Sequence, residues 1–575
     1  MPDLAYDTLT ADVVIVGSGG AGLMSLLHLG RRAPELDVVL VSKGAVGRSG
    51  CTRMVQGGYN AVLDERDSLD LHFADTLAGG AYLNDQELAW TLVQDAPGVI
   101  RELERECGCL FDRTADNRLH QKPFAGQSFD RTVHRGDLTG IEIMARLRDQ
   151  ALRIGARELE DVRALDLVLD GEGRLAGLTV LDAASGRFAL IRARVVVVAT
   201  GGSATMYRIA APAREKTGDG LAMCLRAGLE LRDMEMLQFH PTGLLAGDSL
   251  LTGSVLEEGL RGAGAHLYNR LGERFMERYD PERLERSTRD VVARSSYLEI
   301  VGGRGTESGG VLLDISHLGA EEVERRFGGM VERTRLVGAD LAREPVEVSP
   351  TAHFQMGGAV IDRDCRTSVE GLLVAGEDAG GTHGANRLGG NGVAESTVFG
   401  ARSGDVAAGL ARELPLAEPD PGLVAASLAR AVAPLRERGE SPSALMAELK
   451  DVMWHGCGLV RTREGLEAAA ASVDGLLERA GRAAAPGGRE WNLGWQQALD
   501  VVNQLQVAQT MIVSALEREE SRGAHFRDDF PERRDDAWLR YVVVRRDGDG
   551  SLEIGTRPVA LTRSRPPAAV AGSAA

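Results

Sequence analysis

The chain has 575 residues, 43% of them hydrophobic and 26% charged, an ordinary composition for a folded chain of more than one domain. Its 84 acidic residues outnumber its 66 basic ones, a formal net charge of −18. That balance argues against nucleic acid as the main partner and against holding an anionic membrane surface by charge alone. All but four of the basic residues are arginine, the exceptions being Lys43, Lys122, Lys216 and Lys450, a bias that fits a GC-rich genome.

The opening stretch MPDLAYDTLTADVVIVG has no basic segment followed by an apolar core, so it does not read as a secretory leader. Residues 12–16 (DVVIV) predict a strand closed by Gly17, followed by GSGGAGLMSLLHLGRR with helical apolar spacing and a second strand at 38–43 (VVLVSK). Gly17-Ser18-Gly19-Gly20-Ala21-Gly22 fits G-x-G-x-x-G between strand and helix, where glycines let a pyrophosphate approach the helix N-terminus. The second strand ends in Ser42-Lys43 rather than in the acidic residue that usually holds a ribose. The motif therefore indicates a dinucleotide without deciding between NAD and FAD, and Lys43 could neutralise phosphate.

Two further runs, VVVVATGG (195–202) and GLLVAGEDAGG (371–381), read as buried strands. The sheet is thus expected to draw on both halves of the chain, with an insertion between about 240 and 350. From about 415 to 520 the composition turns to Ala, Leu, Glu and Arg with helical periodicity, and the tail PPAAVAGSAA is predicted to be disordered. No run approaches the ~20 apolar residues that cross a bilayer. The six cysteines, at 51, 107, 109, 224, 365 and 457, lack iron–sulfur or zinc spacing and suit a reducing compartment. Cys107 and Cys109 read as two reduced thiols on a helix-to-loop turn.

Seven segments together carry a more specific signal: QGGYNAV (56–62), LQFHPTG (237–243), RGAGAHLYNRLGERFMERY (261–279), STRDVVARS (287–295), PTAHFQMGG (350–358), HGANRLGGNG (383–392) and ESRGAHFRDDFP (520–531). In this order they resemble the flavoprotein subunit of the succinate dehydrogenase/fumarate reductase family, which includes L-aspartate oxidase. The resemblance runs from about residue 11 to about 545. It implies an α/β fold: a Rossmann-like FAD-binding domain from 1–239 and 350–412, an inserted α+β capping domain at 240–349, a helical domain at 413–522, and a small C-terminal region at 523–575. It implies FAD contacts at Gly17, Gly19, Gly20, Gly22, Ser42, Lys43, Gly57, Gly58, Asp219, Glu377 and Asn391, with Asp219 and Glu377 suited to accept from adenosine and ribitol hydroxyls. Cys51 stands where respiratory members carry a histidine covalently bound to the flavin, so noncovalent FAD is expected.

The same resemblance implies a four-carbon dicarboxylate substrate. His240, His353 and Arg387 would hold its carboxylates and Phe124 would pack on it. Arg289 matches the proton donor, and Glu258 and Arg261 match its relay; the bland alternative is a structural ion-pair network. Two positions depart from the family pattern: Glu257 stands where Thr or Ser is usual, and Ala263 replaces a Glu. A carboxylate beside a dianion must turn away or be protonated. For electron exchange, the leading expectation is an iron–sulfur subunit linked to a quinone through membrane-anchor subunits. This chain would then be cytoplasmic and peripheral on the inner face of the cell membrane, with no span of its own. The alternative is a free-standing flavoenzyme resembling L-aspartate oxidase or a fumarate reductase.

Overall fold

A computed structural model describes residues 4–567, so the end of the predicted disordered tail lies outside the described residues. The strand Tyr6–Val16 pairs in parallel with Val38–Val41 on one side and with Phe188–Val198 on the other. Leu372–Val374 joins Phe188–Val198 in parallel, so the sheet does take strands from distant parts of the chain. An antiparallel pair, Val162–Leu169 with Leu175–Asp182, and the edge strand Arg157–Leu159, parallel to Val38–Val41, extend the sheet to seven strands. Val13, Val14, Ile15 and their partners Val195, Val196 and Val197 are fully buried, as expected of a parallel sheet covered on both faces. Helix Gly20–Arg32 packs on the long helix Asn391–Glu413, which closes one face.

The predicted strand at 371–381 is shorter than expected. It ends at Val374 and turns into the short helix Gly376–Asp378, because Gly376 takes a positive φ of 70°. Likewise 195–202 leaves the sheet at Val198.

A second sheet, wholly antiparallel, orders Leu237–Leu244, Val346–Gln355, Val311–Asp314 and His266–Tyr268. It has its own apolar core, including Leu256, Leu260, Phe275, Val323 and Met330. Beyond it come four helices of 12 to 25 residues, Pro421–Val432, Pro442–Gly456, Arg463–Ala480 and Leu493–Glu517. Three are started by a side-chain cap from Asp420, Ser441 or Thr462, and the fourth by Asn492. The C-terminal hairpin Arg540–Arg546/Leu552–Pro558 is not free-standing: its first strand pairs with Leu231–Arg232.

Candidate active site

A cavity of about 730 Å³ opens where the two sheets meet. Gly17 and Gly19 to Gly20, Ser42, Lys43, Gly57, Gly58, Asp219 and Glu377 line it, as do Phe124, His240, Glu258, Arg289, His353 and Arg387. Gly17 needs its φ of 108°, and a Cβ there would lie 2.1 Å from the Ala199 carbonyl oxygen. Two expected cofactor residues do not line the cavity. Gly22 lies against the Gly17 carbonyl, where it lets helix and turn approach. The Asn391 side chain is turned inward, accepting from Asn60 Nδ2 at 2.7 Å and donating to Thr76 Oγ1 at 3.1 Å.

Around Asp219 the charges are already matched. Lys43 Nζ donates to Asp219 Oδ2 at 3.1 Å and to Asp500 Oδ1 at 2.6 Å. Arg163 Nη2 donates to Asp219 Oδ1 at 2.9 Å and also bonds Asp500, while Asn503 Nδ2 reaches Asp219 Oδ1 at 2.7 Å. Burial would raise the Asp219 pKa, but Arg163 and Lys43 outweigh it and hold the carboxyl below its ordinary range. Lys43 is thus not a free phosphate cation as its position suggested, because two carboxylates hold it. Lys216 pairs with Glu377, whose Oε1 also accepts from the Gln355 N–H at 2.8 Å.

The second charged set has a different form. Arg289 is the first residue of helix Arg289–Glu299, and Glu258 immediately precedes the short helix Gly259–Gly262. Arg289 Nε and Nη2 donate to Glu258 Oε2 at 3.0 and 2.5 Å, and Arg261 Nη2 donates to Glu258 Oε1 at 3.2 Å. Burial would raise the Glu258 pKa; Arg289 and Arg261 reverse that and keep it below the ordinary range. Arg261 does not reach the cavity. It lies 1% exposed behind Glu258, anchored on the Glu285 carbonyl at 2.8 Å.

Gln238 joins this set to Arg387. Its Oε1 accepts from Arg289 Nη1 at 3.1 Å and from Arg387 Nη2 at 3.2 Å, and its Nε2 donates to Asn386 Oδ1 and the Arg387 carbonyl. Arg387 also stacks over Phe354, 4.5 Å from the ring centre. His240 stands between two register shifts in its strand, the kind of bulge that re-aims a side chain. Its Nδ1 accepts from the Thr242 N–H at 3.3 Å, while the Thr242 hydroxyl donates to the Leu256 carbonyl at 2.7 Å. That assigns the ring proton to Nε2. His353 meets His240 edge to face, ring centres 5.5 Å apart. Burial first, then the neighbouring arginines, push both histidines well below their ordinary pKa, which favours the neutral ring in each. The Phe124 ring is packed so closely on Gly57 that a Cβ there would lie 2.5 Å from it.

Glu257 is buried, yet it is not alone: Lys122 Nζ donates to its Oε2 at 3.2 Å. Gln238 and Lys122 were not singled out from the sequence, although each lies two residues before a chosen residue, His240 and Phe124. The period of two along a strand was the available signal for Gln238. Asp500 and Asn503 come from helix Leu493–Glu517, remote in sequence and outside the seven segments.

Fold and cavity together define a dinucleotide-dependent enzyme whose pocket gathers cations for an anionic ligand. A family profile described as "FAD binding domain" matches residues 12–393, and one described as "Fumarate reductase flavoprotein C-term" matches 446–570. A fumarate reductase (CoM/CoB) subunit from Methanothermobacter marburgensis is 41% identical over 538 residues, covering 93% of this chain and 97% of that one. The fumarate reductase flavoprotein subunit of Mycobacterium tuberculosis is 35% identical, covering 97% and 99%. Among solved structures, a point variant of E. coli quinol fumarate reductase FrdA superposes with a TM-score of 0.92 at 33% identity, covering 98% and 99%. Mycobacterium smegmatis Sdh1 in complex with UQ1 gives 0.87 at 36%, covering 98% and 96%. The chain belongs to the family of FAD-binding succinate dehydrogenase and fumarate reductase flavoprotein subunits.

Proposed function

We propose that this chain interconverts fumarate and succinate as the flavoprotein subunit of a larger complex. The observation that carries this reading is the sharing of Glu258 between Arg289 and Arg261, on a cavity that also receives His240, His353 and Arg387. Bound FAD supplies the hydride for fumarate reduction and takes it in succinate oxidation. Arg387 presents a planar fork to one carboxylate, and His240, through Nε2–H, and His353 orient the dianion. Phe124 covers the apolar middle and excludes water. Arg289 gives a proton to the carbon beside the one that receives hydride. Glu258, linked to both arginines, returns a proton to Arg289 from the Arg261 side. The antiparallel sheet and its core, about 240–349, act as a cap over this site, and the dinucleotide half comes from 1–239 and 350–412. The helical segment 413–522 backs the cavity through Asp500 and Asn503, with 523–575 as a C-terminal appendage.

FAD is held noncovalently in this reading. Cys51 lines the cavity, but burial raises its thiol pKa, which disfavours the thiolate that would attack. Electrons pass to or from membrane-anchored quinone partners by way of an iron–sulfur subunit, a reading supported by likeness to quinol fumarate reductase and to Sdh1 bound to UQ1. No helix among the described residues is long and apolar enough to cross a membrane, so attachment to the inner face of the cell membrane would run through those partners. Glu257, which would suit the amino group of L-aspartate, is already paired with Lys122, which weighs against the aspartate-oxidase reading.

Purified protein assayed with reduced dye and fumarate, oxidised dye and succinate, and O₂ with L-aspartate should turn over the first two pairs. Aspartate oxidation without fumarate reduction would overturn the proposal. After acid precipitation the flavin colour should stay in solution; colour in the pellet would refute noncovalent binding.

A further inference from the structure

Among the described residues, the ion pairs made by residues 245–347 stay inside that segment with one exception. The exception is Glu257–Lys122, which reaches the strand Gln121–Lys122 of the small sheet formed with Thr132–Val133 and Tyr59–Asn60. Both ends adjoin the site. Glu257 directly precedes Glu258, and Lys122 lies two residues before Phe124, with its ammonium 5.7 Å from that ring centre. The side chains are 6% and 17% exposed, so water screens their attraction little.

The surroundings hold the pair in place. Arg333 Nη1 donates to the Val255 carbonyl at 2.9 Å, fixing the chain just before Glu257. Asp137 touches the helix Ala320–Arg335 so closely that a Cβ on Gly329 would lie 1.9 Å from its Oδ2. Cap and base thus press together around Glu257, and its pair with Lys122 is the one ion pair across that seam among the described residues, beside the hydrogen bonds of Arg289 to Gln238 and of Asn386 to Asp290.

We propose that Glu257 and Lys122 are a positioning pair that ties the proton-donating group, Glu258 and Arg289, to the Phe124 side of the pocket. Glu257 lines the cavity, but its charge is met by Lys122 rather than left facing the substrate, which resolves how an extra acid is tolerated beside a dianion site. The kinetic part of this rests on the fumarate/succinate reading; the tie itself does not.

The test uses the FAD-loaded full chain carrying Lys122→Met, Glu257→Gln, both together, and the swap Lys122→Glu/Glu257→Lys. Each single change should lower kcat for fumarate about tenfold through misplacement of the donor, with KM moving far less. The double change should cost no more than either single one, because both remove the same contact. The swap should recover most of the rate. A rise in KM confined to Glu257→Gln, or costs that simply add, would overturn the pair and make Glu257 a substrate contact. Independently of any substrate, amide exchange across residues 255–262 should quicken in both single variants. Unchanged exchange there would refute the tie even if fumarate proved not to be the substrate, and the single variants decide if the swap does not fold.

Discussion

Around Asp219 two cations meet two carboxylates: Lys43 and Arg163 against Asp219 and Asp500. Around Glu258 two guanidinium groups, those of Arg261 and Arg289, share a single carboxylate, and Gln238 links Arg289 to a third, Arg387, which has no ion-pair partner among the described residues. The first network is closed and has no charge left for a ligand. The second is left with a positive surplus that a dicarboxylate dianion would neutralise. Both kinds of ligand are anionic, but they are met differently. A pyrophosphate is served by backbone N–H groups at a glycine-opened helix start, and a dicarboxylate needs side-chain cations that the chain otherwise balances. A net charge of −18 therefore says nothing about this pocket.

The sharpest way to break that contrast is Arg289→Gln. It removes the proposed acid and leaves Glu258 Oε2 buried without its main partner. Fumarate reduction with reduced dye should fall about a thousandfold, the range for losing a general acid, while FAD content stays at wild-type level. A variant that keeps its rate would reduce the Glu258 network to a structural ion pair. The closed network predicts a different defect. Asp219→Asn leaves Lys43 and Arg163 facing one carboxylate in a buried site, at a cost of about 3 kcal/mol. It should show as a lower Tm and weaker FAD binding by titration, with a much smaller loss of kcat at saturating FAD than Arg289→Gln gives. Equal losses of kcat would mean that the two networks are not separate.

Much of the fold was legible because it rests on local signals. The strand at 12–16, the glycine turn and helix Gly20–Arg32 follow from periodicity and backbone freedom alone. Those signals stop where a long-range partner decides. Lys43 reads as a phosphate cation until Asp500, more than 450 residues on, is folded against it. Glu257 looks misplaced until Lys122 arrives from another sheet. Only four lysines survive among 66 basic residues. Lys43 and Lys216 line the cavity and Lys122 holds a lining carboxylate, so the lysines mark the site better than their number suggested.

The smallest expected effect concerns a third charged cluster, on the helix that starts at the dinucleotide turn. His28 approaches Glu102 Oε2 with Nε2 at 3.1 Å and Asp405 Oδ2 with Nδ1 at 3.3 Å. Burial lowers its pKa, but the hydrogen bonds to Asp405 and Glu102 outweigh it and push the value up to about 9. A histidine whose pKa is raised on folding adds stability that is fully present below its unfolded value and fades as pH rises through the folded one. The contribution is therefore complete below about pH 6.5 and gone above about pH 9. His28→Gln keeps a polar group but cannot carry charge. The variant should trail wild type by roughly 1–2 kcal/mol at pH 6, a figure reduced for the partial exposure of the ring, and the gap in Tm should close by pH 9.5. A gap that does not change with pH would mean that His28 is neutral when folded. The pairing of opposite charges seen around Asp219 would then not extend to the back of the dinucleotide helix.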